Sequence, residues 1–353
     1  MKRLAFIIVA IVVLVISVPI SDCKPTVETK GKQGWPSAVS VGVPNLSAPG
    51  GKCGVLIADL ITRKLGIQAV AEEVGGTAMY AGVAKGAFEL AIGSGPSTYL
   101  AVIEPKEKEY RGISQPLRIL CMGHRVLVGT VARLDSDIKS YTDLKGKKCA
   151  VYSKTSDAIH VGGKAIFESF GLTPDTCQIK WQVGSKFGAA GMTEGALDAW
   201  WYVIGNPLGG PSSQQRQLNS SVRGLRLLDM GKEKAYAICD KYSMYIPVML
   251  PAEWLNKQQT KPVWTIGWAS NIFVNTNAPD SFTYQVTKLV LENLDELKSK
   301  SAIFNDWDIQ RAAERPTVPF HRAAIQYYKD KGLWNEQVNK YNMVLLKKIG
   351  AKE

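Results

Sequence analysis

Between Val39 and Ser97 the chain passes three times through one unit: a short apolar run, a loop of small residues, and a helical stretch. The runs are Val39–Val43, Ile67–Glu73 and Phe88–Ile92. Their loops read Pro44-Asn-Leu-Ser-Ala-Pro-Gly-Gly51, Val74-Gly-Gly-Thr77 and Gly93-Ser-Gly-Pro-Ser97. Successive strand–loop–helix units imply a parallel α/β sheet, because a parallel neighbour is reached through a crossover helix. Such sheets hold ligands at the carboxyl ends of their strands. All three loops there lack a titratable side chain, which suits backbone N–H groups approaching a small solute.

A second set of strands follows. Leu117–Ala132 is a long apolar stretch interrupted by Met122-Gly-His-Arg125, and it reads as a strand crossing from one lobe to another. Cys149-Ala-Val-Tyr152, Cys177-Gln-Ile-Lys-Trp181 and Leu197–Val203 form the strands of the second lobe. Val263–Val274 reads as the return crossing. Ser281–Leu297 is an amphipathic helix with Phe282, Val286, Leu289 or Val290, and Leu294 on one face. The expected fold class is α/β and two-lobed, each lobe a mainly parallel sheet flanked by helices, with the ligand cleft between them. Expected boundaries are 1–23 for a signal peptide, 24–36 for a linker, 37–125 plus 268–353 for lobe 1 and 126–267 for lobe 2. A length of 353 residues suffices for two such cores.

The signal peptide is read from Lys2 and Arg3 ahead of an unbroken apolar run, Leu4–Ile16, followed by Ser17, Pro19 and Ser21. The run is short for a membrane span. Ile20-Ser-Asp-Cys23 has the length of a lipid-attachment motif, but Asp22 occupies the position of a small residue, so lipidation at Cys23 is disfavoured. Export places the remaining five cysteines in an oxidising compartment. Cys149 and Cys177 begin consecutive strands, which makes them the favoured bridge, with two buried thiols as the alternative. The net charge of +12 is spread in pairs such as Lys147-Lys148, without the dense basic block of a nucleic-acid binder.

Catalytic spacing is missing from the sequence. His124, His160 and His321 stand far apart, and there is no His-Glu-x-x-His, Gly-x-Ser-x-Gly, Cys-x-x-Cys or P-loop. Ser136-Asp-Ile-Lys139 fits Ser-x-x-Lys but has no Ser-Asp-Asn partner. No cofactor and no metal are expected, and an enzyme is a remote alternative.

The ordered motifs resemble TAXI-type solute-binding proteins of the TRAP transporter class, within the type II periplasmic binding proteins. The resemblance rests on Val74-Gly-Gly-Thr77, on Lys85-Gly-Ala-Phe-Glu-Leu-Ala-Ile92, and on Asp135-Ser-Asp-Ile-Lys-Ser with Asp143-Leu-Lys-Gly-Lys-Lys148. Gly195-Ala-Leu-Asp-Ala199, Leu291-Glu-Asn-Leu-Asp-Glu296 and Val318-Pro-Phe-His321 complete it. It implies a periplasmic, monomeric clamp that closes on a small organic acid or amino acid. It also implies delivery to TRAP permease subunits driven by an ion gradient. An ATP-driven importer or a sensor input would use the same fold. Three departures count against glutamate: no tyrosine in Ser47–Cys53, a lysine in Ser153-Lys-Thr-Ser156, and the apolar Tyr202-Val-Ile-Gly-Asn-Pro207.

Candidate ligand contacts follow from this layout. Asn45, Ser47, Gly50 and Gly51 form one wall, with Gly76, Thr77, Ser94 and Gly95 beside them. Ser153, Lys154, Thr155 and Ser156 face them at a helix start, where plain capping is the alternative. Arg125 suits a carboxylate, or an interlobe salt bridge. Trp200, Tyr202, Asn206 and Trp268 offer aromatic and polar surface, against core packing for each tryptophan.

Overall fold

The computed structural model describes residues 34–351, apart from 47, 106–109, 155 and 223. The signal-peptide, lipidation and most of the linker expectations therefore lie outside the described residues, as do Ser47 and Thr155.

The first three strands are β1 (Ala38–Val43), β2 (Gln68–Glu73) and β3 (Leu90–Ser94), joined by α1 (Pro49–Leu65) and α2 (Ala78–Ala84). Both β2 and β3 pair with β1 in parallel. Helix α3 (Gly95–Val102) leaves β3 directly. Helix α1 starts a turn earlier than Cys53, because Pro49 sits at its first positions, where a missing N–H costs nothing. The second half holds β5 (Lys148–Ser153), β6 (Gln178–Gln182) and β7 (Ala199–Asn206), with α4 (Asp157–Ser169) and α5 (Gly184–Thr193) between them. Here β5 is parallel to both β6 and β7.

Two long strands join the halves, β4 (Leu117–Arg133) and β11 (Val263–Asn275), the latter preceded by the short β8 (Gly210–Pro211), β9 (Leu225–Leu227) and β10 (Ile246–Leu250). They run antiparallel along each other, β11 also pairs with β3, and β4 also pairs with β7. The result is one continuous sheet in the order β2-β1-β3-β11-β4-β7-β5-β6. The interruption at Met122-Gly-His-Arg125 is a bulge within β4. Ala269 faces Arg125 and Asn271 faces Met122, so two residues of β4 oppose Ser270 alone. A bulge of this kind bends a strand and adds local twist.

The cores divide at the same place. One cluster gathers Val39–Met122 with Ala269–Val338. Two others, on opposite faces of the sheet, gather residues 126–268, with Tyr99 and Leu100 of α3 joining one of them. The expected single helix over 281–297 is two: α8 (Asp280–Glu292) and α9 (Leu294–Lys300), which meet at Asn293. Between α5 and α8 lie α6 (Ser213–Ser221) and α7 (Lys232–Lys241), and α10 (Arg322–Asp330) and α11 (Glu336–Lys348) close the chain.

The described cysteines are free thiols. Cys149 and Cys177 lie side by side with their sulfurs 3.2 Å apart, hydrogen-bonded. Burial pushes the Cys53 and Cys239 thiols up to about 12 and Cys121 higher still, which leaves them unreactive.

Candidate functional site

The carboxyl ends of β1, β3 and β5 converge on a cavity of about 330 Å³ between the halves. β1 delivers Pro44, the turn before α2 delivers Gly76 and Thr77, and β3 delivers Gly93 and Ser94. From the opposite half come Ser156, Asp157 and Ala158 at the start of α4, while Trp268 of β11 closes the base. Two helix starts thus point into one space. Ser94 caps α3, its Oγ accepting from the Ser97 amide at 3.3 Å. Ser156 caps α4, its Oγ accepting from the Ile159 amide at 3.4 Å, and its own amide donates to Ser153 Oγ at 3.0 Å. A helix start carries unsatisfied N–H groups and a partial positive charge, both suited to an anionic group.

The walls are hydroxylated and apolar. Tyr80, on α2, stacks on Phe273 with ring centroids 5.0 Å apart. Burial raises its pKa, with hydrogen bonds from Ser97, Thr98 and Ser94 opposing, so the phenol stays neutral and able to donate. Met79, Leu100 and Trp268 supply hydrocarbon surface, and Tyr110 closes one side. Cavities of about 530 and 460 Å³ lie elsewhere, one beside Trp35 and Phe282 and one behind the crossing strands. Neither gathers strand carboxyl ends, so the interlobe cavity is the candidate site. Among the described residues, no group of three or more His, Cys, Asp or Glu could hold a metal ion.

Gly76, Thr77, Ser94, Ser156 and Trp268 are brought together at this cavity. The other described candidates stand elsewhere, for local reasons. Asn45 Oδ1 accepts from the Ala48 amide at 3.2 Å, holding the turn before α1. Gly50 and Gly51 lie in the first turn of that helix. A Cβ on Gly51 would fall 2.0 Å from the Asn45 carbonyl oxygen, so glycine is needed there for closure. Gly95 backs onto β11, where its Cβ would meet the Ala269 carbonyl oxygen at 2.8 Å. Ser153 is buried beneath Ser156, and Lys154 is exposed, its amide donating to the Gln182 carbonyl at 3.0 Å.

Arg125 faces the cavity behind the crossing strands, and its guanidinium is spent on Asp306, Nη2 to Oδ1 at 2.5 Å. It is thus a salt-bridge residue rather than a carboxylate receptor. Trp200 is 0 % exposed and donates from Nε1 to Gln182 Oε1 at 2.7 Å. Tyr202 stacks on it at 5.1 Å. Asn206 Oδ1 accepts from the Leu208 amide at 3.0 Å, closing the turn before β8 (Gly210–Pro211).

Sequence reasoning missed Tyr80, Ser97, Leu100 and Asp157. Helical periodicity carried the signal for two of them, since Tyr80 lies one turn beyond Thr77 and Ser97 one turn beyond Ser94, while Asp157 directly follows the Ser156 cap. Leu100 carried no such signal, since it is buried with Tyr99 in one core cluster and only its edge reaches the cavity.

The model of the NMT1-like family matches residues 52–332. Among solved structures, the chain is similar to the periplasmic aliphatic sulphonate binding protein SsuA from Escherichia coli, at 15% identity and TM-score 0.45, covering 88% of this chain and 79% of that one. It is also similar to a TctC solute binding protein from Polaromonas, at 11% identity and TM-score 0.49, covering 89% and 95%. XAC2383 from Xanthomonas citri bound to ATP matches at 13% identity and TM-score 0.48, covering 87% and 99%.

Proposed function

Because the chain belongs to the NMT1-like family, we propose that it is a periplasmic solute-binding protein of the TAXI type. It captures a small organic acid or amino acid and delivers it to a TRAP-type permease driven by an ion gradient. The observation that carries this reading is the cleft itself, where Thr77 and Ser94 of one half face Ser156 of the other across Trp268. Contacts from both halves to one solute exist together only in a closed clamp, so a solute shifts the population toward closure. The lobes in this reading are 37–125 with 268–353, and 126–267, and they hinge at the bulged crossing near 122–127 and 266–270.

A thermal-shift screen of organic, amino and aromatic acids tests it. A solute present at ~100 times its dissociation constant adds about 2.7 kcal/mol to stability. With the solute found, Ser156→Ala is expected to weaken affinity about tenfold by calorimetry, equivalent to ~1.4 kcal/mol. Loss of the helix cap by itself costs the free protein about 1 kcal/mol. An unchanged dissociation constant assigns Ser156 to capping alone. For the permease, uptake in vesicles is expected to collapse with an ionophore and to survive ATP depletion; the reverse result assigns the chain to an ATP-driven importer.

We further propose that export lets Cys149 and Cys177, free thiols in this structure with sulfurs 3.2 Å apart, close to a disulfide in the mature protein. The bridge spans 28 residues of sequence, for which chain entropy gives about 3–4 kcal/mol. Intact mass before and after reduction is expected to differ by two hydrogens, and the reduced form to melt lower. An unchanged mass leaves the pair as buried thiols.

A further inference from the structure

We infer that Arg315 and Asp240 form a latch behind the hinge. It ties the two halves together on the side away from the cleft, and so opposes closure until a solute supplies contacts of its own. This rests on the halves moving as a clamp, and it adds what sets their resting angle. The crossing strands separate two cavities. Neighbouring residues of a strand point to opposite faces. Trp268 lines the interlobe cleft, whereas Ala269, with Arg125 opposite it on β4, lines the cavity of about 460 Å³ on the far side. That rear cavity is also lined from both halves, by Arg311, Arg315 and Tyr341 of the first and by Tyr236, Asp240 and Ile246 of the second. Two bodies that turn about strands lying between such cavities narrow one as they widen the other.

Across the rear cavity, Arg315 Nη2 lies 2.8 Å from Asp240 Oδ1. Arg315 is aimed by its own half, its guanidinium carbon standing 5.1 Å from the ring centroid of Tyr341 on α11. Asp240 stands in the last turn of α7, beside the partial negative charge of a helix C-terminus, where an acid is disfavoured. Helix stability thus gives no reason for a carboxylate there, and the partner across the cavity does. Arg125 and Arg311 line the same space, but both bond Asp306, within the first half, and tie nothing across it. The Asp240 side chain is 66 % exposed, so its pair with Arg315 is weak enough for a bound solute to break. It is a latch and not a lock.

The full-length mature chain is spin-labelled through Glu72→Cys and Lys180→Cys, exposed positions near the carboxyl ends of the two edge strands, β2 and β6. The described native cysteines are buried, so the introduced thiols take the label. The distance between labels is read by pulsed electron resonance without any solute. Asp240→Lys removes the tie and sets like charges face to face, while a cation suits the end of α7, so the fold is kept. We expect its short-distance population to rise about threefold over the parent. Raising sodium chloride from about 20 mM to about 500 mM is expected to move the parent the same way. Combining Asp240→Lys with Arg315→Glu is expected to restore the parent distribution. A merely structural pair would lower the melting temperature and leave the distances alone. Unchanged distances in Asp240→Lys, or a swapped pair that behaves like the single variant, overturns the latch. Either result leaves the solute-binding reading to its own thermal-shift screen.

Discussion

Asp306→Ala is expected to cost about 3–5 kcal/mol of folding free energy, read as a lowered urea midpoint near neutral pH. Asp306 is 1 % exposed, in the short 3₁₀ turn Ala302–Asp306, and it grips the bulge in β4 from the first half. Oδ2 accepts from the Arg125 amide at 2.7 Å, and both carboxylate oxygens accept from Arg125 Nε at 3.1 Å. Arg311 Nη2 adds a longer contact at 3.4 Å. Alanine would leave a half-buried guanidinium and a backbone N–H without their acceptor, and an orphaned buried charge is the expensive case. Asp306→Asn keeps an acceptor but not the countercharge, so its loss should fall between parent and alanine variant. A parental midpoint for Asp306→Ala would show that the bulge is held by packing alone.

Acid should destabilise the protein well before its surface carboxylates titrate. Burial lowers the His124 pKa to about 4, with the Asp306 charge opposing weakly. Nδ1 of His124 lies 2.9 Å from Ser270 Oγ, so the bulged crossing is built around a neutral imidazole. His321 is also lowered to about 4, by burial first and then by Arg322. Its Nδ1 accepts from the Ala323 amide at 3.2 Å and caps α10, a role that protonation would abolish. In the unfolded chain both titrate near the ordinary value of 6.5. The unfolded state therefore takes up protons first. The histidines' contribution is full above about pH 6.5, is lost as the pH drops toward 4, and changes no further below that. The loss is on the order of 3 kcal/mol per histidine. Urea midpoints measured across this range are the check, with His124→Asn expected to remove its share of the slope. A flat profile between about pH 7 and 4.5 would refute the buried-neutral assignment.

The sheet was legible because its strands alternate with helices at short spacing, and the boundaries shifted by only a few residues. The two crossings were legible from their unusual apolar length. The faces of β7 were less legible. Alternation left one face of Trp200, Trp201 and Tyr202 open to a ligand, with core packing the alternative for each tryptophan, and core packing is what the structure shows for Trp200 and Trp201, both fully buried. Helices cover both faces of this interior strand. A Cβ on Gly188 of α5 would fall 2.1 Å from the Trp200 ring, and one on Gly163 of α4 would fall 2.7 Å from Trp201. A strand buried on both sides reads as continuously apolar, and no pattern within it says which face is which. Arg125 misled for a different reason. Its partner Asp306 lies 181 positions away in the chain, beyond the reach of any local spacing.

Since β4 and β11 belong to both halves, neither half ends where the other begins. A chimaera that exchanged one lobe for that of a relative would have to sever both ribbons and leave raw hydrogen-bonding edges exposed to aggregation. In such an architecture the turn tips can change one substitution at a time, while the woven middle tolerates no such exchange.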